Sequence, residues 1–380
     1  MLCKHFPACG GCTSQDIPYD HQLQAKQAVI ESLYPASKVL PIIPCLNPWH
    51  YRNKMEFSFS QNKAGDRFLG LILRKSRGKV FNLEECLIAP DGYAQMLSRV
   101  RTWWENTNLR AFNFRSAEGT LRTFTLRQAR RTNQRMAILT VSGDPRFAIT
   151  QNQLSQFIEA IDDGSISIFL QIHQAIKGQP TQFYEMHLKG PAHIVEEITL
   201  NNQLFQFKIS PTSFFQPNTD QAEKLYQTAL NFPSLTKDSC VYDLYYGTAT
   251  LGILCAPRVK QVIGIELNPH AIFDGKMNAE INNLSNIELF RGDVAQVLAK
   301  ETLPAPDLVI LDPPRAGLDP PALELLRKLS PPQILYISCN PKTQAQNILE
   351  LPDYQIVHLQ PVDQFPHTPH IENIIYMVKK

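Results

Sequence analysis

The sequence predicts a mixed α/β protein in which a doubly wound, Rossmann-like parallel sheet follows a β-rich α+β unit and a cysteine segment. Three observations carry that prediction. From Ser239 onward short apolar runs alternate with helical stretches, the pattern of strand–helix units in a parallel sheet. Between Pro48 and Gly143 the runs are short, alternating and bounded by Gly, Asn and Asp, which reads as half-buried strands. Cys3, Cys9 and Cys12 crowd the start of the chain, with Cys45 and Cys86 further on.

The 380 residues suit two to three compact units. Apolar residues make up 43% and charged residues 19%, a globular rather than disordered composition. No run of about 18 uncharged apolar residues could span a membrane, and the first residues lack the apolar stretch of a secretory signal. A cytoplasmic protein is expected. The net charge of +2 hides an asymmetry. Residues 1–200 carry 23 Lys and Arg against 17 Asp and Glu, a net of +6, whereas the remainder carries 14 against 18. Six of the basic residues are Arg110, Arg115, Arg122, Arg127, Arg130 and Arg131, with Arg135 just beyond and Glu118 the only acid among them. Such a segment suits contact with a polyanion or a solvated basic face.

The cysteine spacing is C-x5-C-x2-C with a distant fourth. In a reducing compartment this reads as a metal or cluster site rather than as disulfides. Four thiolates serve a zinc ion or a [4Fe–4S] cluster, and one pair with two singletons favours iron–sulfur over zinc. Cys86 is the expected fourth ligand, with Cys45 as the alternative. Tyr19 to Leu33 has helical periodicity and ends before Pro35. Strands are expected at Lys54–Phe59 and Met136–Val141, a helix near Tyr93–Asn106, and a last strand or linker at Phe205–Ile209. The expected domains are 1–47 (cysteine segment plus helix), 48–204 (β-rich) and 205–380 (Rossmann-like).

In the last of these, strands are expected at Cys240–Leu244, Val262–Ile265, Ile287–Phe290, Leu308–Leu311, Ile334–Ile337 and Ile374–Val378. Asn268 and Pro269 mark a helix start. At or just past the strand ends stand Asp243, Glu266, Asp293, Asp312 and Cys339, the rim where open α/β sheets bind ligands. The turn after Asp243 lacks the G-x-G-x-x-G of a pyrophosphate site. A nucleoside without phosphates fits better. S-adenosylmethionine would place its ribose at Glu266 and its adenine at Asp293.

Asp312-Pro313-Pro314-Arg315 resembles the loop with which many methyltransferases hold a planar substrate, and Cys339 leaves a buried strand as a nucleophile would. Together with Tyr51-Arg52-Asn53-Lys54, Ser213-Phe214-Phe215-Gln216, Asp243-Leu244-Tyr245-Tyr246-Gly247, Ser338-Cys339-Asn340-Pro341 and His367-Thr368-Pro369-His370-Ile371-Glu372, these motifs resemble the RNA uracil-5 methyltransferases, which make 5-methyluridine in bacterial ribosomal RNA and in transfer RNA. The resemblance implies Cys339 as nucleophile and Glu372 as base. It implies S-adenosylmethionine contacts from Gln216, Tyr245, Thr250, Glu266, Asp293 and Asp312, and a [4Fe–4S] cluster on Cys3, Cys9, Cys12 and Cys86. It also implies an antiparallel final strand that brings Glu372 to the rim of Cys339. Relatives commonly carry Cys in place of Tyr246 and Gly in place of Ala249.

Some relatives begin with a small β-barrel domain that is not expected here, so 23S ribosomal RNA is the favoured substrate and transfer RNA the runner-up. Neither a membrane nor an obligate protein partner is expected. Competing readings are an amino-group methyltransferase, which would not need Cys339, a radical S-adenosylmethionine enzyme, whose cluster leaves one iron open, and an RNA-binding redox sensor.

Overall fold

The computed structural model describes residues 2–175, 178–179 and 181–380. Packing divides the chain into two units, one formed by the residues up to Asp16 with Asn47–Val195, the other by Ile17–Leu46 with Glu196–Lys380. Helix α1 (Tyr19–Leu33) therefore belongs to the second unit, not with the cysteines in 1–47 as its place in the sequence suggests. The reason lies in its partners: Ile30 and Tyr34 join the apolar core of the second unit.

In the first unit, β1 (Lys54–Gln61), β2 (Arg67–Gly70), β3 (Leu121–Gln128), β4 (Arg135–Ser142), β5 (Ser167–Gln174) and β6 (Gln182–Lys189) form a sheet in the order β2-β1-β3-β4-β5-β6. All pairs are antiparallel except β4–β5, whose parallel pairing requires a crossover. Helix α3 (Gln151–Ile161) supplies it, opened by a capping box of Thr150 and Gln153. With α2 (Tyr93–Glu105) it covers one sheet face. Trp103, Trp104, Phe57, Phe124 and Phe157 fill that core, Trp104 meeting Phe59 edge-on at 5.1 Å. Edge strand β6 has most of its residues exposed.

The second unit opens with β7 (Ile194–Leu200), at whose start the boundary falls, and β8 (Gln203–Ile209), paired as a two-stranded sheet. Phe205–Ile209 is thus neither the last strand of the β-rich sheet nor a linker. The boundary at 195/196 precedes the expected 204/205 because β8 needs β7 for its ladder. After α4 (Thr219–Asn231) come β9 (Cys240–Leu244), α5 (Thr250–Cys255), β10 (Gln261–Glu266), α6 (Pro269–Ile281), β11 (Ile287–Arg291), α7 (Val294–Lys300), β12 (Leu308–Leu311), α8 (Pro320–Leu329), β13 (Gln333–Ser338), α9 (Pro341–Leu349), β14 (Tyr354–Val362) and β15 (Glu372–Lys379).

Among the described residues seven of these strands form one sheet, in the order β11-β10-β9-β12-β13-β15-β14. It is parallel from β11 to β13, and its fully apolar strand interiors, such as β12 with all four residues buried, match a sheet covered on both faces. Strand order reverses between β9 and β12, the switch point at which such sheets open a ligand crevice. β15 runs antiparallel between β13 and β14. No helix among the described residues is long and apolar enough to cross a membrane.

Candidate functional site

The crevice at the switch point is built from the loops that follow β9, β10, β12 and β13. Asp243 near the end of β9 is buried, and its Oδ2 accepts the Gly252 amide at 2.8 Å. Its Oδ1 is buried without a hydrogen-bond partner. Burial pushes this carboxyl up to about 7, against the Gly252 hydrogen bond and helped by the charges of Asp312 and Glu266. Glu266 accepts the Gly247 amide through Oε2 at 3.2 Å and the Asn268 amide through Oε1 at 2.8 Å. The turn between these acids is tight. Tyr245 (φ 64°), Gly247 (φ 54°) and Ala249 (φ 60°) are all left-handed, a conformation that costs a non-glycine residue. A glycine at 249 would remove that strain.

Tyr246 is accommodated by glycines opposite it. A Cβ on Gly264 would lie 2.8 Å from the Tyr246 ring and 2.6 Å from Leu289, and one on Gly275 would lie 3.2 Å from the ring. The Tyr246 hydroxyl is buried without a partner. The Thr248 and Thr250 hydroxyls lie 3.0 Å apart at the start of α5. Asp293 is exposed and caps α7, its Oδ1 accepting the Gln296 amide at 3.1 Å. An apolar recess beside Tyr245 and Val294 is lined by Leu244, Leu311 and Leu318. Gln216 is buried just before α4. The loop that carries it is tied down at Ser210 and Ser213, whose hydroxyls both bond the buried Asp274 carboxylate.

The thiol and the second set of acids meet at the ends of β13 and β15. Their antiparallel register pairs Ser338 with Asn373, so the next step out sets Cys339 opposite Glu372. Cys339 is half-buried and Glu372 buried. Burial pushes the Cys339 thiol up to about 11, with further upward pressure from Glu372 and Asp312 and relief from Arg315. Burial likewise raises the Glu372 carboxyl well above the usual carboxylate range, reinforced by Asp312 and again opposed by Arg315. Asp312 is pushed up to about 7 by burial. One thiol, two carboxyls and one guanidinium therefore share a field in which full ionisation of all three acids is costly. Arg315 is part of the Asp312-Pro313-Pro314-Arg315 motif, and nothing in the motif itself signals its place in this field. The Arg315 carbonyl accepts the Asn340 side-chain amide at 2.9 Å and the Thr343 hydroxyl at 3.3 Å, tying the loop after β12 to the one after β13.

In the first unit, Cys3, Cys9, Cys12 and Cys86 lie near enough to influence one another. Burial pushes Cys12 up to about 12 and Cys86 up to about 11. The thiols of Cys86, Cys9 and Cys3 add to the first, and those of Cys3 and Cys9 to the second. Gly10 lets the backbone close in, since a Cβ there would stand 3.0 Å from the Ile72 carbonyl, to which Gly10 also donates its amide at 3.1 Å. Cys45 belongs elsewhere, buried in the second unit with its sulfur accepting from Asn218 at 3.5 Å. Among the described residues no three His, Cys, Asp or Glu side chains converge tightly enough to hold a single metal ion. A separate basic and aromatic surface lies at one end of β3 and β5. The Arg122 guanidinium sits 3.9 Å from the Phe112 ring centre and 5.2 Å from that of Phe114, which is 80% exposed. Arg122 also donates to His173 at 3.4 Å, and His173 meets Phe183 edge-on at 4.9 Å.

The tRNA (Uracil-5-)-methyltransferase family matches residues 184–380. A protein of Protochlamydia amoebophila named an uncharacterized RNA methyltransferase is 47% identical over 98% of this chain and 89% of its own length. A Chlamydia trachomatis protein of the same description is 37% identical over 99% of this chain and 97% of its own. Among solved structures, the Pyrococcus abyssi tRNA (uracil-54, C5)-methyltransferase in complex with S-adenosyl-L-homocysteine aligns with a TM-score of 0.79 at 27% identity, covering all of this chain and 88% of that one. A family match across more than half the chain, joined to relatives similar from end to end, makes this protein a member of the RNA uracil-5 methyltransferases, which use S-adenosylmethionine to methylate RNA.

Proposed function

We propose that the protein methylates carbon 5 of a uridine in RNA through a covalent adduct between Cys339 and the pyrimidine, with Glu372 as the base. The observation that carries this reading is the pairing of a half-buried thiol and a buried carboxyl across neighbouring strand ends in one crevice. Carbon 5 of uracil is a weak nucleophile. Addition of the Cys339 thiolate to carbon 6 pushes the ring's electron pair toward carbon 5 and the 4-oxygen, making carbon 5 reactive. S-adenosylmethionine, when bound, supplies the methyl group. The Glu372 carboxylate then takes the carbon 5 proton, and the released pair restores the 5,6 double bond as the Cys339 thiolate departs. A base with a raised pKa suits that proton transfer, and Arg315 eases ionisation of both groups.

Gln216, Tyr245, Thr250, Glu266, Asp293 and Asp312 are the proposed cofactor contacts. The unpartnered Oδ1 of buried Asp243, at the same strand ends, supports the fit. Asp293 has one oxygen left for this role once it has capped α7. Cys3, Cys9, Cys12 and Cys86 are the proposed ligands of a [4Fe–4S] cluster. Thiols that raise one another's pKa are relieved by a cationic centre between them, and a cluster of four irons spreads its ligands wider than one ion does. The proposed role is structural or RNA-positioning, because the reaction moves no electrons between centres.

The target base must be single-stranded or turned out of its helix, and the Phe112–Arg122–Phe114 surface of the first unit is of the stacking and charged kind that binds single-stranded RNA. Ribosomal RNA, 23S first, is the expected substrate; similarity to a tRNA (uracil-54, C5) enzyme over the whole chain favours transfer RNA as the second reading. Incubation with labelled S-adenosylmethionine and total unmodified RNA, followed by mass-spectrometric sequencing, separates the two. Label on a base other than uracil, or on none, overturns the proposal.

A further inference from the structure

Glu372 is delivered by the turn 363–371, which joins β14 to β15. Connecting loops normally lie at the surface and move, yet Asp363, Gln364, His367 and Thr368 are buried. Much of what buries this turn comes from residues 17–46, more than 300 positions away in sequence. Lys26 Nζ donates to Asp363 Oδ1 at 2.6 Å and to the Phe365 carbonyl at 3.1 Å. The Tyr19 hydroxyl donates to Asp363 Oδ2 at 2.7 Å while accepting the Cys45 amide at 2.8 Å. Gln22 accepts the His367 amide at 3.0 Å and donates to His367 Nδ1 at 3.2 Å. Nearby, Ile43 donates to the Pro361 carbonyl at 3.0 Å, and its own carbonyl accepts the Asp363 amide at 2.9 Å. The contacts continue toward the base. The Phe365 carbonyl also accepts the Thr368 hydroxyl at 2.8 Å, and Thr368 Oγ1 accepts the His370 amide at 3.3 Å.

Tyr19, Gln22 and Lys26 fall at helical spacing on one face of α1. A helix that served packing alone would bury apolar residues there, because a buried lysine is costly unless paired. Here Gln22 and Lys26 are the residues that α1 buries along with Ile30. We propose that the Tyr19–Gln22–Lys26 face of α1 is a positioning element for proton abstraction, holding the 363–371 turn so that the Glu372 carboxyl faces carbon 5 of the Cys339-bound pyrimidine. This rests on the reading of Glu372 as the base. Adduct formation and methyl transfer precede the base's step, so loosening the turn slows release of product and leaves the earlier steps intact.

The test uses the full-length protein, RNA and labelled S-adenosylmethionine in single-turnover reactions, scoring both released methylated RNA and protein–RNA complex that survives SDS. Glu372→Gln sets the reference and is expected to accumulate methylated covalent complex. Tyr19→Phe, Gln22→Leu and the charge-neutral pair Lys26→Met with Asp363→Asn are each expected to slow release by about tenfold, to accumulate the same complex, and to leave total methyl incorporation within about twofold of the parent. Release at the parent rate in all three overturns the proposal, as does a parallel fall in incorporation and release without trapped complex. Should the double variant not fold, Tyr19→Phe and Gln22→Leu, which strand no charge, decide the question. If Glu372→Gln itself traps no methylated complex, the base assignment is what fails.

Discussion

The two units each hold thiols pushed above their ordinary pKa, and the company those thiols keep differs. Cys12 and Cys86 are raised by burial and by one another's neighbours in a group of four sulfurs. Cys339 is raised by burial and by Glu372 and Asp312, with Arg315 pulling the other way. A group of neighbouring thiols ionises together only with positive charge among them. A single thiol between carboxyls and a guanidinium, on an open rim, is poised for an incoming electrophile. On the proposed reading the same side chain is a ligand in one unit and a nucleophile in the other; burial is common to both, and the neighbours differ.

That contrast breaks most sharply at Cys339. Cys339→Ala should lower turnover by at least about 10³-fold and abolish the covalent product formed with 5-fluorouridine-substituted RNA, as seen on denaturing gels; retained adduct would remove the nucleophile from that residue. Next in size is pH. A thiol raised to about 11 is more protonated at any given pH than a free one, so raising pH restores thiolate. Between pH 7 and 9 the rate of adduct formation should climb about tenfold per unit, measured by rapid quench with fluorinated RNA, and a flat profile would contradict a protonated resting Cys339.

The cysteine group is tested by exchange. Cys86→Ser in anaerobically purified protein should reduce bound iron and sulfide by half or more, while Cys45→Ser should leave them unchanged, since Cys45 is engaged with Asn218 in the second unit. The smallest effect concerns the cofactor turn. Gly264→Ala should cost about 1–3 kcal/mol by overpacking, read as a lowered denaturation midpoint. Shortening the opposing ring with Tyr246→Cys should recover part of it, the non-additivity expected of side chains in contact.

Strands β9 to β13 were legible because apolar runs between helical stretches have one physical solution, a parallel sheet covered on both faces. The acids at their ends were legible for the same reason: a strand's end is marked by where its apolar run stops. Asn268 and Pro269 likewise announced α6, and the observed cap, Asn268 accepting the His270 amide at 3.0 Å, follows from their chemistry. β14 was not legible, because it alternates only weakly and contains Pro361. The signals for α3 lay in the sequence, in the Thr150–Gln153 capping box and in Leu154, Phe157, Ile158 and Ile161 at helical spacing.

Sequence alone therefore determined the strand–helix alternation, the acids at the strand ends and the candidate thiols, because each is written in local periodicity or in a short motif. Tertiary structure alone decided that α1 serves the second unit, that Cys86 and not Cys45 joins the other three thiols, and that Arg315 shares the field of Cys339 and Glu372. These are pairings between residues far apart in the chain, and no local pattern records which distant partner will satisfy a buried charge or hydrogen bond once the chain has closed upon itself.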